Sequence, residues 1–558
     1  MTVTLRPDEE STRFRISGKT EPFGGDWINM IMRDFMAPGK SVALAENAMA
    51  ATSHPQATLA ALDILRAGGN AVDAAIAAVA LQGVIDPHMT GIGGDCFALF
   101  TPGGGRPVAL NGSGRAPAAA HPEFFREQGM TAISDLSVHS VTVPGAVGAW
   151  DYLSATYGRI GLDAILQPAI RAARDGFTIT PRVALDWARY ADRLRRHEPA
   201  ARQFLPGGKA PVTGDRLFNP ALADTLEKIA RKGRKGFYEG AVAEDIVATL
   251  NALGGLHTLA DFERARPDVA EPIEADYRGY RLLECPPNGQ GLAALLMARI
   301  LGGFDLGEGK VSPADRIHLL AEAAKSAYRQ RDLHIADPAH MAVSVEELLD
   351  ENRIAAISSA IALDRASPAE ALDMPVHKDT VYVSVVDRDG NAVSLINSIF
   401  ASFGSGIYAE GSGVLLQNRG SGFSLADGHA NCIGASKRPF HTIIPAMMFD
   451  GDKPFLSFGV MGGQYQANGH AHFISQVIDR GFDIQMASDQ PRSFFTEGAI
   501  SLEPTISDDI RRDLERRGHL TRIADEPLGG CQAIMIDHKR GILWGASDHR
   551  KDGIALGY

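Results

Sequence analysis

The chain has 558 residues, 45% hydrophobic and 22% charged, which is the composition of an ordinary globular protein long enough to bury a large core without cross-links. Its formal net charge is −12, and with no basic run it is a poor partner for nucleic acid. The four cysteines, Cys96, Cys285, Cys432 and Cys531, are widely separated with no CxxC or CxxH pair, so neither a disulfide scaffold nor a structural zinc site is expected.

In chain order, the first residues, MTVTLRPDEESTRFRISGK, contain no apolar h-region, so no secretory signal is expected and a cytoplasmic location is. Residues 1–40 read as an N-terminal arm. Ser53-His54-Pro55 predicts a helix start with Ser53 as cap. Leu59, Leu62 and Leu65 recur on one face, and Gly68-Gly69 ends the helix. Asn70 and Asp73 predict a capped second helix to about Gly83. The apolar run from Ala71 to Ile85 holds Asp73 and is too short to span a bilayer, so no membrane partner is expected. Gly91 to Phe100 reads as a glycine turn feeding a strand. Residues 145–260 read as mainly helical, 272–285 as strand, Pro286 to Gly291 as a turn, and 313 to about 370 as helical. From Thr380 the pattern changes: TVYVSVVD and NAVSLINSI are strands joined at Arg388-Asp389-Gly390, a hairpin signal. Helices first and strands later suggest a layered α/β domain, although length alone suggests about three or four domains.

Several motifs carry no chemistry. GIGGD at 91–95 and PGGG at 102–105 fit neither GxGxxG nor GxxxxGK[ST], so no nucleotide loop is expected. His470 and His472 diverge on a helix and have no carboxylate at helical spacing, so they read as packed or surface residues, not metal ligands. No GxSxG elbow is present. No metal and no cofactor are expected.

Thr380 alone could be a plain strand residue. The surrounding motifs decide otherwise: ILRAGGNAVDAAIA (64–77), VPGAVGAW (143–150), PPNGQG (286–291), DTVYVSVVDRDGNAVS (379–394), FGSGI (403–407), KRPFHTIIPA (437–446), MGG (461–463) and GASDHR (545–550). In this order they resemble the γ-glutamyltranspeptidase family over nearly everything from Val42 to Tyr558. The resemblance implies an α/β fold, a four-layer αββα sandwich of the N-terminal nucleophile hydrolase type. Both fragments of a self-cleaved precursor build it: 41–379 as the large-subunit part and 380–558 as the small. It implies cleavage between Asp379 and Thr380, fragments that stay associated, and a small-molecule amide as substrate. The oligomeric state stays open, a homodimer included.

The chemistry suits the position. A threonine hydroxyl needs a base beside it. Cleavage frees an α-amine whose reference pKa is about 7.7, so nucleophile and base belong to one residue. By resemblance, Ser398 supports the nucleophile and Gly462-Gly463 form the oxyanion hole, where glycine allows close approach to the backbone.

The substrate end departs from the γ-glutamyl enzymes. The Asn, Gln and Asp that hold their α-ammonium fall at Phe400, Arg419 and Gly422. Their carboxylate-binding Arg falls at Ser113, with Arg115 two residues on, and their two serines fall at His441 and Thr442. An acid has gone and a cation has arrived, which repels an ammonium. The pattern NSIFASFGSG…QNRGSGFSL…PFHT resembles the oxamate amidohydrolase branch. The expectation is an amide with a carboxylate beside it, bound by Arg115, Phe400, Arg419, His441 and Thr442. Alternatives are a γ-glutamyl hydrolase or transferase, an acylase with Phe400 lining an apolar pocket, and a non-catalytic protein that kept the fold.

Overall fold

A computed structural model describes residues 33–36, 39–368 and 380–558. Asp379, and so the expected cleavage bond, lies outside them, as do residues 1–32. Two seven-stranded sheets, antiparallel throughout, form the centre. The first runs Ile554–Gly557, Met49–Thr52, Val381–Val386, Ala392–Ser398, Asp95–Thr101, Val108–Gly112, Asp268–Ala270. The second runs Ala43–Ala45, Ile542–Ser547, Gly530–Asp537, Lys453–Met461, Ala446–Asp450, Tyr280–Glu284, Ile273–Tyr277. Each sheet therefore takes strands from both sides of Thr380.

The period-two alternation of a strand sets the layers. Tyr382, Ile396 and Phe97 of the first sheet meet Met447, Met461 and Ile534 of the second in one apolar core between the sheets. The alternate residues Val383, Val385, Leu395 and Ala98 turn outward onto a helical layer that includes Pro55–Arg66 and Ala71–Ile85. On the far side, Met448, Leu456, Phe458 and Met535 pack under Gly291–Gly302, Pro313–His334 and Tyr465–Ile478. This is the expected four-layer αββα sandwich. Each Leu, Ile or Phe fully buried in these layers stabilises the fold by roughly 1.5–3 kcal/mol.

The helix Ala71–Ile85 is buried at every position, and alanine lets it lie close to its neighbours. Asn70 and Asp73 form the expected capping box, and the helix runs two residues past Gly83. Its first amide donates to the Asp387 carboxylate (2.8 Å) in the turn of the Thr380 hairpin, which ties helix and hairpin together. The expected Ser53 cap is not what forms. His54 caps the first helix through its ring nitrogen, accepting from the Gln56 amide, while the Ser53 hydroxyl accepts from Gln82 Nε2 (2.9 Å). A buried glutamine amide needs an acceptor, and the Ser53 hydroxyl supplies it.

Among the described residues, no helix is long and apolar enough to cross a membrane. His470 and His472 are buried packing residues: His470 donates from Nδ1 to Glu284 Oε1 (2.7 Å) and accepts at Nε2 from the Val460 amide.

Candidate active site

The hairpin Val381–Val386/Ala392–Ser398 pairs Val381 with Asn397, which sets Thr380 opposite Ser398. Ser398 in turn pairs with Asp95 on the next strand. Directly opposed residues share a face, and it is the face that carries Tyr382, Ile396 and Phe97. Thr380, Ser398 and Asp95 thus line one end of the gap between the sheets, all fully buried. The Thr380 hydroxyl donates to Ser398 Oγ at 3.3 Å, and Ser398 Oγ also accepts the Phe400 amide at 2.9 Å.

Glycine in the 91–94 turn is required by this approach. A Cβ on Gly94 would sit 2.2 Å from the Ser398 carbonyl, and one on Gly93 would sit 2.1 Å from that of Leu415. The turn is therefore a close-packing device that lets two loops meet the end of the hairpin. One is the 399–405 loop and the other contains Arg419. They are joined by Asn418, whose amide reaches the Ile399 carbonyl (3.3 Å) and whose Oδ1 accepts from Ala401 N (3.1 Å).

That junction brings Phe400 and Arg419 together. Phe400 has a left-handed backbone, φ +79°, an uncommon conformation for a bulky residue and a mark of functional sites. The Arg419 guanidinium lies 3.9 Å from the centre of its ring. Arg419 Nη1 donates to Thr442 Oγ1 at 2.9 Å. Among the described residues, its buried Nε and Nη2 have no hydrogen-bond partner. Burial lowers its pKa to about 9, opposed by the negative charge of Asp95, so it is a cation at neutral pH. An unpaired cation here costs free energy, and it presents two donors to anything anionic that enters.

Asp95 cannot discharge that cation directly. Its Oδ1 accepts from Gly114 N (2.9 Å), Gly145 N (3.1 Å) and Gln417 Nε2 (2.9 Å), and its Oδ2 takes His441 Nε2–H (3.1 Å). His441 Nδ1 accepts the Ile443 amide, which fixes the tautomer. Burial, then the Arg419 charge, lowers the His441 pKa to about 3, so this ring is neutral across the physiological range.

The segment carrying His441 and Thr442, just before strand Ala446–Asp450, is held by PPNGQG. Gln290 N reaches the His441 carbonyl (2.9 Å), and His441 N reaches that of Asn288 (2.8 Å). Gln290 Nε2 then bridges the Thr442 and Gly463 carbonyls at 2.7 and 2.9 Å, which links the Arg419 side of the site to the glycine pair. Gly462 and Gly463 follow strand Lys453–Met461 with φ of +126° and +56°. Behind them, a Cβ on Gly462 would touch Gly529 Cα at 3.0 Å. The Gly529 segment is itself pinned: Arg492 Nη1 bonds the Leu528 carbonyl (2.7 Å) and Asp548 Oδ2 bonds Cys531 N (2.7 Å).

Arg115 is not brought to this group. Its side chain is 42% exposed and is held by Asp337 (3.3 Å), Asp268 (3.5 Å) and the Ser436 carbonyl (3.1 Å). Both carboxylates are shared with Arg438, through its guanidinium to Asp268 and its amide to Asp337 (2.9 Å). Ser113, where the family carries its arginine, is buried and hydrogen-bonded to Asn111. Asp95, Gln290, Asn418 and Gln417 are site residues that the sequence reading did not single out. The available signal was an acid ending a glycine turn that enters a fully buried strand.

The pattern defining Gamma-glutamyltranspeptidase matches residues 57–558. The chain belongs to that family. It is an N-terminal nucleophile hydrolase made as a proenzyme. The chain is 38% identical over 520 residues to the glutathione hydrolase-like YwrD proenzyme of Bacillus subtilis, covering 91% of this chain and 98% of that one. It is 34% identical over 525 residues to the oxamate amidohydrolase proenzyme of Klebsiella pneumoniae, covering 91% and 98%. The crystal structure of cephalosporin acylase from Bacillus halodurans superimposes with a TM-score of 0.89 at 38% identity, covering 98% of this chain and 99% of that one. For this family member, the non-catalytic alternative no longer applies.

Proposed function

We propose that this family member processes itself between Asp379 and Thr380 and then hydrolyses the amide of a small carboxylate-bearing, oxamate-like substrate through an acyl-Thr380 intermediate. The observation that carries the substrate class is Arg419: a buried cation with two unpartnered donors, stacked on Phe400 and joined through it to Ser398 and Thr380. A substrate carboxylate satisfies those donors in a charge-assisted pair. An α-ammonium would meet the same cation, and Asp95 has both oxygens engaged.

In processing, Thr380 Oγ attacks the Asp379 carbonyl, the peptide becomes an ester, and water releases it. In turnover, the freed α-amine takes the Thr380 hydroxyl proton as Oγ attacks the substrate carbonyl. The resulting ammonium returns the proton to the departing nitrogen, which leaves as ammonia from a primary amide. Water then hydrolyses the acyl ester by the same base. Ser398 orients the nucleophile, and the Gly462 and Gly463 amides receive the oxyanion. Backbone donors of this kind are typically worth ~2.7–4 kcal/mol of barrier each.

Gly463→Val is expected to lower turnover by roughly a hundredfold to a thousandfold, because φ +56° is strained for valine and its side chain blocks close approach. Processing traverses a similar tetrahedral state, so the fraction cleaved is measured separately on a denaturing gel. Normal turnover in folded Gly463→Val would remove the pair from the oxyanion role. A second reading, a longer acyl chain ending in a carboxylate, is favoured by the likeness to the cephalosporin acylase and by the aromatic face of Phe400. The experiment that tests the proposal is a comparison of amides with and without an α-amino group on the processed enzyme.

A further inference from the structure

Far from the hairpin, three potential ligands meet under the second sheet's helical layer. His318 and Glu322 lie one turn apart on helix Pro313–His334, and His519 follows helix Asp508–Arg516 near the chain's other end. All three are buried, with one ligand atom from each within 4.8 Å of the others. His318 Nδ1 is 2.8 Å from His519 Nε2, which is 3.9 Å from Glu322 Oε1.

The surroundings orient His318 and Glu322 as a metal would need, while His519 Nε2, the donor to His318 Nδ1, has to shift its proton to Nδ1 when a metal enters. His318 Nε2–H donates to the Ala362 carbonyl (2.9 Å), which leaves the Nδ1 lone pair turned toward His519. A backbone acceptor on the outer nitrogen is the usual support of a ligating histidine. Glu322 is held by Ser367, through both its amide and its hydroxyl. With these separations, a point equidistant from the three atoms lies ~2.4 Å or less from each, close to the ~2.0–2.2 Å of zinc–imidazole and zinc–carboxylate bonds.

We propose that His318, Glu322 and His519 form a three-ligand site for a divalent transition metal of the zinc class, with the fourth position left to water. Two imidazoles and one carboxylate suit such an ion, and burial disfavours the harder, more strongly hydrated calcium and magnesium. The site draws ligands from either side of Thr380, so after processing the ion staples the two fragments. It also anchors Ala362 and Ser367, the stretch leading to the cleavage segment. Lys325 Nζ bonds Glu322 Oε1 as well (2.7 Å), so metal entry exchanges that bond for a coordinate one. Arg517 stands nearby, paired with Asp315 and Asp513.

The test uses purified, processed enzyme stripped with EDTA and titrated with zinc chloride alone. Bound metal is read by elemental mass spectrometry, with thermal unfolding alongside. The expected result is about one zinc per chain at micromolar metal and a rise in melting temperature of a few degrees. His519→Ala should lose both, and Lys325→Met should bind zinc at least as tightly as the wild type. If His519→Ala does not fold, competition between the wild-type protein and a chromophoric zinc chelator decides the matter. Zinc binding far below one equivalent in the wild type would overturn the proposal, leaving an imidazole–imidazole hydrogen bond. So would one equivalent retained undiminished in His519→Ala.

Discussion

Thr380→Ala should remain a single chain and lose amide hydrolysis by ~10⁴-fold or more, the scale seen when a covalent nucleophile is removed. The wild type should give two fragments, about two-thirds and one-third of the chain, the smaller beginning Thr-Val-Tyr-Val. The reasons are local. Thr380 is fully buried at the end of a hairpin strand, and its hydroxyl donates to Ser398. It has no free α-amine until the preceding bond breaks. Alanine removes the buried γ-methyl, worth roughly 1 kcal/mol, as well as the hydroxyl with its Ser398 hydrogen bond, worth about 0.5–1.5 kcal/mol, losses small enough for the fold to survive. An uncleaved wild-type protein with full activity would sink the mechanism.

Arg419→Gln should raise the Michaelis constant for anionic amides and lower catalytic efficiency about tenfold to a hundredfold, the worth of a charge-assisted bond of roughly 1.5–3 kcal/mol. The same change removes a buried cation that, among the described residues, has one hydrogen bond, to a hydroxyl, besides its stack on Phe400, so the melting temperature should hold or rise. Those opposite signs separate a binding role from a merely structural one. Arg419→Lys should not fully restore efficiency, because a single ammonium cannot present the planar fork. Arg419 is fully buried, so an orientation toward solvent does not explain it. Unchanged kinetics in Arg419→Gln would remove it as the carboxylate partner.

Much of the fold was legible in local pattern. The Asn70–Asp73 capping box, the Asp389-Gly390 turn and the alternation in TVYVSVVD are signals carried by neighbouring residues, and each forms as expected. The first helix cap was misread because Ser53 is claimed by Gln82, a partner 29 positions away that no local rule can see. The same limit governs the site. Arg419 and Phe400 stand out because they replace residues of known role, whereas Asp95 sits in a glycine turn feeding a strand, where nothing local marks the acid as part of a site. Arg115 looked like a substrate ligand two residues from the family position. Asp268 and Asp337, which hold it, come from distant segments. The His318–Glu322–His519 cluster is likewise invisible in sequence, since its third member lies about two hundred positions away.

The most direct test of the central claim is the catalytic efficiency of processed enzyme on two substrates, oxamate and a γ-glutamyl anilide, with ammonia and glutamate measured separately. The account predicts ammonia from oxamate at the higher efficiency, with little glutamate from the anilide. Far better cleavage of the anilide would contradict it, leaving Thr380 as nucleophile but moving the chain to the γ-glutamyl enzymes.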